Sequence, residues 1–405
     1  MGISKQDHDK ILFVAKLGRS LHEYGSNAHK IETILKTVSS SLKMDAQFFS
    51  TPTSLVGSFR FPGEEYGVLE RCAPGSVHLE RICLINDVAD QVLQGKMNPY
   101  DGVKRLEAID SLEERYPAWV MLATSGFASL SVSIVLGAGL FDLLPSFVIG
   151  LLVGVISLLS SKLAKLAHLG DIFCAFFGAV IAAVSSYFFP SISEEIVLLA
   201  GLIYLMPGLS ITVATVELAT QNYVAGSARL VGAGMGLLKI LIGVMGGSGL
   251  VSHYLPRPHH LPHHSLPDWL QWGSILISAI SFAILFRAHI RDIIWIIITA
   301  FTVSIAYKVG NYYAGVQLAA FAGALSVSAG SNLFARLLNR PVSIIQFPGI
   351  LFLVPGLVSY RSLNMMASSD VISGVHSAVS VGIIAMIIVG GLLCGNVLIN
   401  PKREL

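Results

Sequence analysis

Beyond about position 117, apolar residues run in long blocks separated by short polar or basic connections, whereas the first 117 positions intersperse them with charges. A helix of about 17 residues or more is long enough to cross most of a hydrocarbon layer roughly 30 Å thick. The blocks predict ten spans, at about 118–140, 145–161, 170–189, 196–216, 228–251, 271–287, 292–308, 312–335, 342–360 and 371–399. The first 117 positions read differently. Helical periodicity runs through DKILFVAKLGRSLHEYG, stops at Gly25, and resumes behind Ser26 as N-cap in NAHKIETILKTVSSSL. DAQFFSTPTSLVGSFRF and EYGVLERCA carry strand patterns, and two further helices are expected over 78–94 and 99–115, the second opened by Asn98 and Pro99. The expected fold is an α-helical polytopic membrane protein with a small α+β domain at 1–117.

Basic residues orient the spans, because Lys and Arg favour the cytosolic side. With the N-terminus inside, Lys162, Lys165, Arg229, Arg287, Arg291, Arg336, Arg340, Lys402 and Arg403 fall on inside connections, against Arg257, Lys308 and Arg361 outside. The pattern predicts a cytosolic-membrane protein with both termini in the cytosol. The opening stretch, MGISKQDHDKILFVAKLGRS, is interrupted by Lys10, Lys16 and Arg19 and so lacks the unbroken apolar core of a signal peptide.

Two of the apolar blocks contain a Pro-Gly pair, YLMPGLSI at 204–211 and FLVPGLVS at 352–359. Proline removes a backbone donor and glycine removes helical bias, so each pair should break its helix. Pro207 lies 19 residues before Gly226 and Pro355 lies 19 before Gly374, an offset of 148 that is close to half the membrane part. Two halves of five spans, 118–252 and 271–405, would therefore be inverted repeats joined by an external linker at 253–270. Broken helices in inverted repeats place substrate near the repeat interface in many transporters. The expected substrate-binding residues are Pro207, Gly208, Ser210, Thr212, Pro355, Gly356 and Ser359. Freed carbonyls and half-helix N-termini there would attract a small carboxylate-bearing solute, although a kink used only for packing would leave the same pattern.

Charges inside the blocks are the candidates for proton coupling: Glu217 at the end of the fourth, Lys239 near the middle of the fifth, Arg229 and Asp171. Lys239 could instead snorkel to an interface, Glu217 could sit in interfacial water, and Asp171 could be a helix-end charge. The GxxxG spacings at Gly150/Gly154 and Gly391/Gly395 read as close helix contacts.

Composition narrows the function classes. Of 405 residues, 53% are hydrophobic and 13% charged, about half the charged share usual for soluble domains. A net charge of +2 offers nothing to a nucleic acid. Cys72, Cys83, Cys174 and Cys394 form no metal-ligand spacing and read as reduced thiols, and His259, His260, His263 and His264 lie in a Pro-rich linker rather than a metal site. No GxxxxGK[ST] loop is present, so drive by an ion gradient is expected and no cofactor is implied. The sequence leaves a homo-oligomer open.

The stretches EYGSNAHKIETILKTVSSSLKMDAQFFSTPTSL, PGLSITVATVELATQNYVAGSARL and FPGILFLVPGLVSYRSL resemble the threonine/serine exporter family along essentially the whole chain. The resemblance implies proton-motive-force-driven export of threonine and serine through ten spans, with the family's acid on Glu217 and its arginine on Arg229; Lys239 matches no family feature. Related two-subunit systems imply succinate as an alternative cargo. The family's cytosolic domain has been likened to hydrolases, for which Ser26, His29 and Glu32 would be the residues, but no GxSxG or HExxH occurs.

Overall fold

The computed structural model describes residues 4–62, 64–72, 75–163, 169–255, 265–353 and 371–400. Its N-terminal part follows the polarity pattern closely. Helix α1 (Lys5–Glu23) starts behind Ser4, whose hydroxyl accepts from the Asp7 N–H at 3.1 Å, and ends where Gly25 turns left-handed at φ +88°. Helix α2 (Ala28–Ser41) starts one residue later than Ser26 would place it. Asn27 is the extended N-cap, and its side chain does not cap.

Strands β1 (Asp45–Thr51), β2 (Ser54–Phe61) and β3 (Glu64–Arg71) form an antiparallel meander in register, Asp45 facing Arg60 and Ser54 facing Arg71. On β2, Leu55, Gly57 and Phe59 are buried, so one face of the sheet closes a core built with Phe13, Leu17, Ile31, Leu35, Ile85 and Leu106. Helices α3 (Leu79–Leu93) and α4 (Pro99–Asp110) complete it, α4 capped by Asn98 and opened by Pro99.

The apolar blocks become helices α5 (Ala118–Val135), α6 (Leu143–Lys162), α7 (Gly170–Phe188), α8 (Glu194–Gly201), α9 (Gly208–Ala219), α10 (Tyr223–Tyr254), α11 (Trp269–Leu285), α12 (Ile290–Leu338), α13 (Ser343–Leu351) and α14 (Val371–Leu398). Among the described residues six are long and apolar enough to cross a membrane, and α8 with α9 passes the same test as a pair bent by 53°, a broken span or a re-entrant loop. The bend falls at Leu202, and Pro207 interrupts the helix again five residues on, as the N-cap of α9 after a short 3₁₀ turn at Ile203–Leu205. The expected spans at 292–308 and 312–335 run together as the 49-residue α12, which leaves helical geometry at Ala314 and Gly315. A Cβ on Gly310 would lie 2.8 Å from Ala319 Cα, a separation of about 13 Å in a straight helix. The chain therefore doubles back there, and glycine supplies both the φ of +75° at 315 and the close approach at 310. Of the ninth span only α13 is described. Pro355, Gly356 and Ser359, the linker histidines, Lys165, Lys402 and Arg403 lie outside the described residues.

Glycines set the close helix contacts, and two sets match. A Cβ on Gly243 of α10 would meet Ile172 O, Ala175 Cβ and Phe176 N of α7 at 2.5, 2.7 and 3.0 Å. A Cβ on Gly391 of α14 would meet Phe321 O, Ala324 Cβ and Leu325 N of α12 at 2.6, 2.8 and 3.1 Å. The same three atom types recur in the same order, and Gly243 and Gly391 are 148 positions apart, the offset of the Pro-Gly pairs. Gly150 and Gly154 likewise bring α6 against Ser125 and Ser129 of α5.

One face of this helical part carries the N-terminal unit. The first N–H groups of α3, on Leu79 and Glu80, donate to Phe286 O and Arg287 O in the α11–α12 turn at 3.0 and 3.1 Å. Tyr116 Oη donates to Ala288 O at 2.7 Å, and Arg287 pairs with Glu114 at 3.1 Å. Beneath this contact the buried Asp292 carboxylate accepts from Arg340 Nη1 through both oxygens at 2.6 Å.

Candidate functional site

Glu217 sits two residues before the end of α9 with its side chain 1% exposed. A carboxylate there faces the negative end of its own helix dipole and needs compensation. It receives two kinds. Arg229, one helix on in α10, donates Nε to Oε2 at 3.0 Å and Nη2 to Oε1 at 3.1 Å, a two-point grip. The Ala28 N–H at the start of α2 donates to Oε1 at 3.2 Å, doing from 189 positions away what the Asn27 side chain does not. A membrane helix thus supplies the anion for the positive end of a helix in the N-terminal unit.

Beside this carboxylate lies a cavity of about 320 Å³, at the small end of ligand-pocket sizes. Its wall draws on α2 (Asn27, His29, Lys30), α3 (Asn86), α9 (Thr212 to Thr220), the end of α12 (Asn332), α13 (Gln346) and α14 (Asn396). Both expected halves of the membrane part and the N-terminal unit meet there. Thr212 is fully buried, its hydroxyl donating back to Gly208 O at 3.1 Å. Pro207, Gly208 and Ser210 do not line this cavity, which opens along the second half of α9 rather than at its broken end.

Three amides are polar features that sequence reasoning missed. Asn332 is fully buried, with Nδ2 donating to Asn396 Oδ1 at 2.8 Å and Ile399 O at 2.7 Å, while its Oδ1 finds no partner. Asn86, 7% exposed, also holds an Oδ1 without a partner. An amide inside an apolar block was the available signal for Asn332 and Asn396; Asn86, in an ordinary amphipathic helix, gave none.

Asp171 and Lys239 belong elsewhere. They pair with each other at 3.6 Å and are 41% and 32% exposed. The apolar pattern puts Lys239 near the middle of its block, and the structure pairs it with Asp171. It lies level with the first turn of α7, because the 32-residue α10 is about 48 Å long and overshoots its 19-residue neighbour. Asp292–Arg340 is a buried ion pair that the sequence reading did not single out. On α2, Glu32 accepts from the Ser50 N–H at 2.7 Å, and burial raises its pKa above the ordinary carboxylate value, with Glu217 adding to the effect. Ser26 and His29 both face the cavity, but the Glu32 carboxylate is committed to β1. Among the described residues, no group of three or more His, Cys, Asp and Glu side chains is placed to hold a metal.

Family models described as threonine/serine exporter match residues 12–251 and 272–399. Relatives include an uncharacterized protein of Schizosaccharomyces pombe, 24% identical over 361 residues, covering 85% of this chain and 43% of that protein. Pheromone-regulated membrane protein 10 of Eremothecium gossypii is 24% identical over 385 residues, covering 90% and 52%, and its Saccharomyces cerevisiae counterpart is 24% identical over 382, covering 90% and 48%. The chain spans about half the length of these relatives. No solved structure matches. With its apolar helices and family models over both halves, the chain is a multi-pass membrane protein belonging to the threonine/serine exporter family.

Proposed function

We propose that the protein is a secondary active transporter that exports small amino acids, threonine and serine, across the cytoplasmic membrane at the expense of the proton motive force. Its membrane part consists of ten spans in two inverted five-helix repeats, with both termini and the α+β unit in the cytosol. The matched glycine contacts at offset 148 support the repeat, and the basic residues on the turns near the N-terminal unit support the orientation.

The observation that carries the reading is the cavity walled by both halves and closed by α2 through Glu217. Glu217 couples proton to gate. Ionised, it holds Arg229 and the α2 N-terminus together; protonated, it loses its charge-assisted bonds to both, and α2 is free to leave the cavity. Lys239 and Asp171 serve as a helix-to-helix clamp outside this cycle.

The test loads cells or vesicles with labelled threonine, serine and succinate and follows efflux with and without an uncoupler. Efflux of threonine and serine should collapse with the uncoupler and lose its dependence on the proton gradient in Glu217→Gln. Unchanged coupling in that variant would remove Glu217 from the proton path. Efflux of succinate alone would make the cargo a dicarboxylate, and efflux of none of the three would remove the exporter reading.

A further inference from the structure

The fourth and ninth apolar blocks are each tied down by a buried aspartate, at opposite ends of the helical part. Asp142 ends a 3₁₀ turn at Leu140–Asp142 and is fully buried. Its Oδ1 accepts from the N–H of Ser193, the N-cap of α8, at 2.9 Å, and its Oδ2 from the Gly139 N–H at 2.7 Å. Asp292, in the first turn of α12, accepts from Arg340, three positions before α13 begins. Asp142 and Asp292 are 150 positions apart, and Ser193 and Arg340 are 147 apart. Each carboxylate thus fastens the start of one long helix, α6 or α12, to the start of a short one, α8 or α13. The ends are opposite because α5 begins two residues after Tyr116, which bonds to Ala288, and runs about 27 Å away before the chain reaches Asp142. Ser278 Oγ donates to Ser131 Oγ at 2.8 Å, both residues are buried, and they too are 147 apart. A residue that touches its own counterpart lies on the axis relating two copies, which puts that axis between α5 and α11.

The two latches differ in their donors. Asp142 is held by backbone N–H groups, which move only with the chain. Asp292 is held by the Arg340 side chain, 25% exposed, which can swing its guanidinium into water. The residues just after Arg340 form cavity wall: Pro341, Val342, Ser343, Gln346 and Phe347. Away from the cavity, Ile344 and Ile345 of α13 share one apolar cluster with Leu79, Ile82 and Cys83 of α3. We propose that Asp292–Arg340 is the releasable latch of the transport cycle: Arg340 leaves Asp292, and α13 moves off α12 and opens the cavity towards the N-terminal unit, while Asp142 keeps α8 fixed to α6. Water entering by the same opening reaches the Asp292 carboxylate, so its charge is not left bare in an apolar surround. The proposal rests on the exporter reading above and deepens it by naming the half that moves and the bond that holds it.

Cys83 is a native reporter of that movement. Burial pushes its thiol pKa up, with Asp292 adding to the effect, so it reacts slowly while α13 stays in place. The experiment follows maleimide labelling of Cys83 in the full-length protein in lipid nanodiscs, with Cys72, Cys174 and Cys394 changed to alanine and at a temperature below unfolding. Asp292→Asn and Arg340→Gln should each speed labelling at least about tenfold. Arg340→Lys should restore slow labelling, because one nitrogen, Nη1, makes both contacts to Asp292 and an ammonium can take its place. Asp142→Asn should lower the unfolding temperature without speeding labelling. Limited proteolysis between 1–117 and the helices should keep its parental rate in all four variants. Labelling unchanged by Asp292→Asn and Arg340→Gln overturns the latch, as does equal acceleration by Asp142→Asn. Labelling and proteolysis that speed up together overturn it too, because the pair would then only hold the N-terminal unit down. Threonine efflux by the parent chain keeps the two readings apart: efflux with unchanged labelling in the variants rejects the latch and leaves the exporter standing, whereas latch release without efflux of threonine, serine or succinate rejects the exporter alone.

Discussion

Two ion pairs tie α10 to its neighbours, and they differ in almost every physical respect. Glu217–Arg229 is a two-point contact on a carboxylate that is 1% exposed and also caps α2; Asp171–Lys239 is a single 3.6 Å approach between side chains 41% and 32% exposed. The first has given up its water and must be replaced bond for bond if broken. The second keeps its water, so the field between its charges is weak. Coordination, rather than position within an apolar block, separates the charge proposed to couple protons from the pair proposed as a clamp.

The comparison breaks most visibly at Glu217. Glu217→Ala leaves Arg229 without its acid and Ala28 without its cap, and should cost about 3 kcal/mol of stability, read by thermal unfolding in detergent. The double change Glu217→Met with Arg229→Met should recover most of that loss while remaining unable to couple efflux to protons. A small loss in the single variant would put this pair in the same class as Asp171–Lys239.

Next in size are the matched glycines. Gly243→Leu and Gly391→Leu both drive a side chain into a facing backbone, and each should destabilise by about 1–3 kcal/mol. Equal losses would support equivalent positions in two repeats, and a loss at one alone would argue against the repeat.

The docking of the N-terminal unit gives a third, pH-dependent test. His78 caps α3 by accepting from the Arg81 N–H on Nδ1 at 3.3 Å, and its Nε2 faces Glu114 at 3.4 Å. Burial lowers its proton affinity, with Glu114 opposing and Arg287 and Arg81 reinforcing, to a pKa of about 4 against 6.5 when free. The unfolded or undocked histidine binds the extra proton, so this contribution is present above pH 6.5 and is lost as pH falls towards 4. Limited proteolysis between 1–117 and the helices should speed up over that window, and His78→Asn should flatten the dependence. The smallest effect belongs to Lys239→Met, which should change stability by less than about 1 kcal/mol and leave efflux intact.

The local elements were readable because local rules decide them. Asn98–Pro99 opened α4, Gly25 closed α1, Pro207 broke the fourth block, and the two-residue alternation of SLVGSFRF made β2. The site was legible only in part. Glu217 and Arg229 were visible as charges in apolar blocks, but the partner that completes the site, the Ala28 N–H, has no side-chain signature. The start of α2 shifted from Ser26 to Asn27, and its first-turn N–H is capped from 189 positions away, which no local pattern encodes. Asn86 and Asn332 line one cavity only because α3 and α12 converge on it. Lys239 was visible as a charge in an apolar block, but its partner Asp171 lies on another helix, which its place in the block does not encode.

The central claim is that α2 must leave the cavity beside Glu217 for substrate to pass. It is tested by placing cysteines at Asn27 and Thr220, both on the cavity wall, in a chain whose four native cysteines are alanine, and joining them with a short cleavable cross-linker. Cross-linking should stop threonine efflux, and cleaving the linker should restore it to the rate before cross-linking. Efflux that continues undiminished through complete cross-linking would contradict the claim.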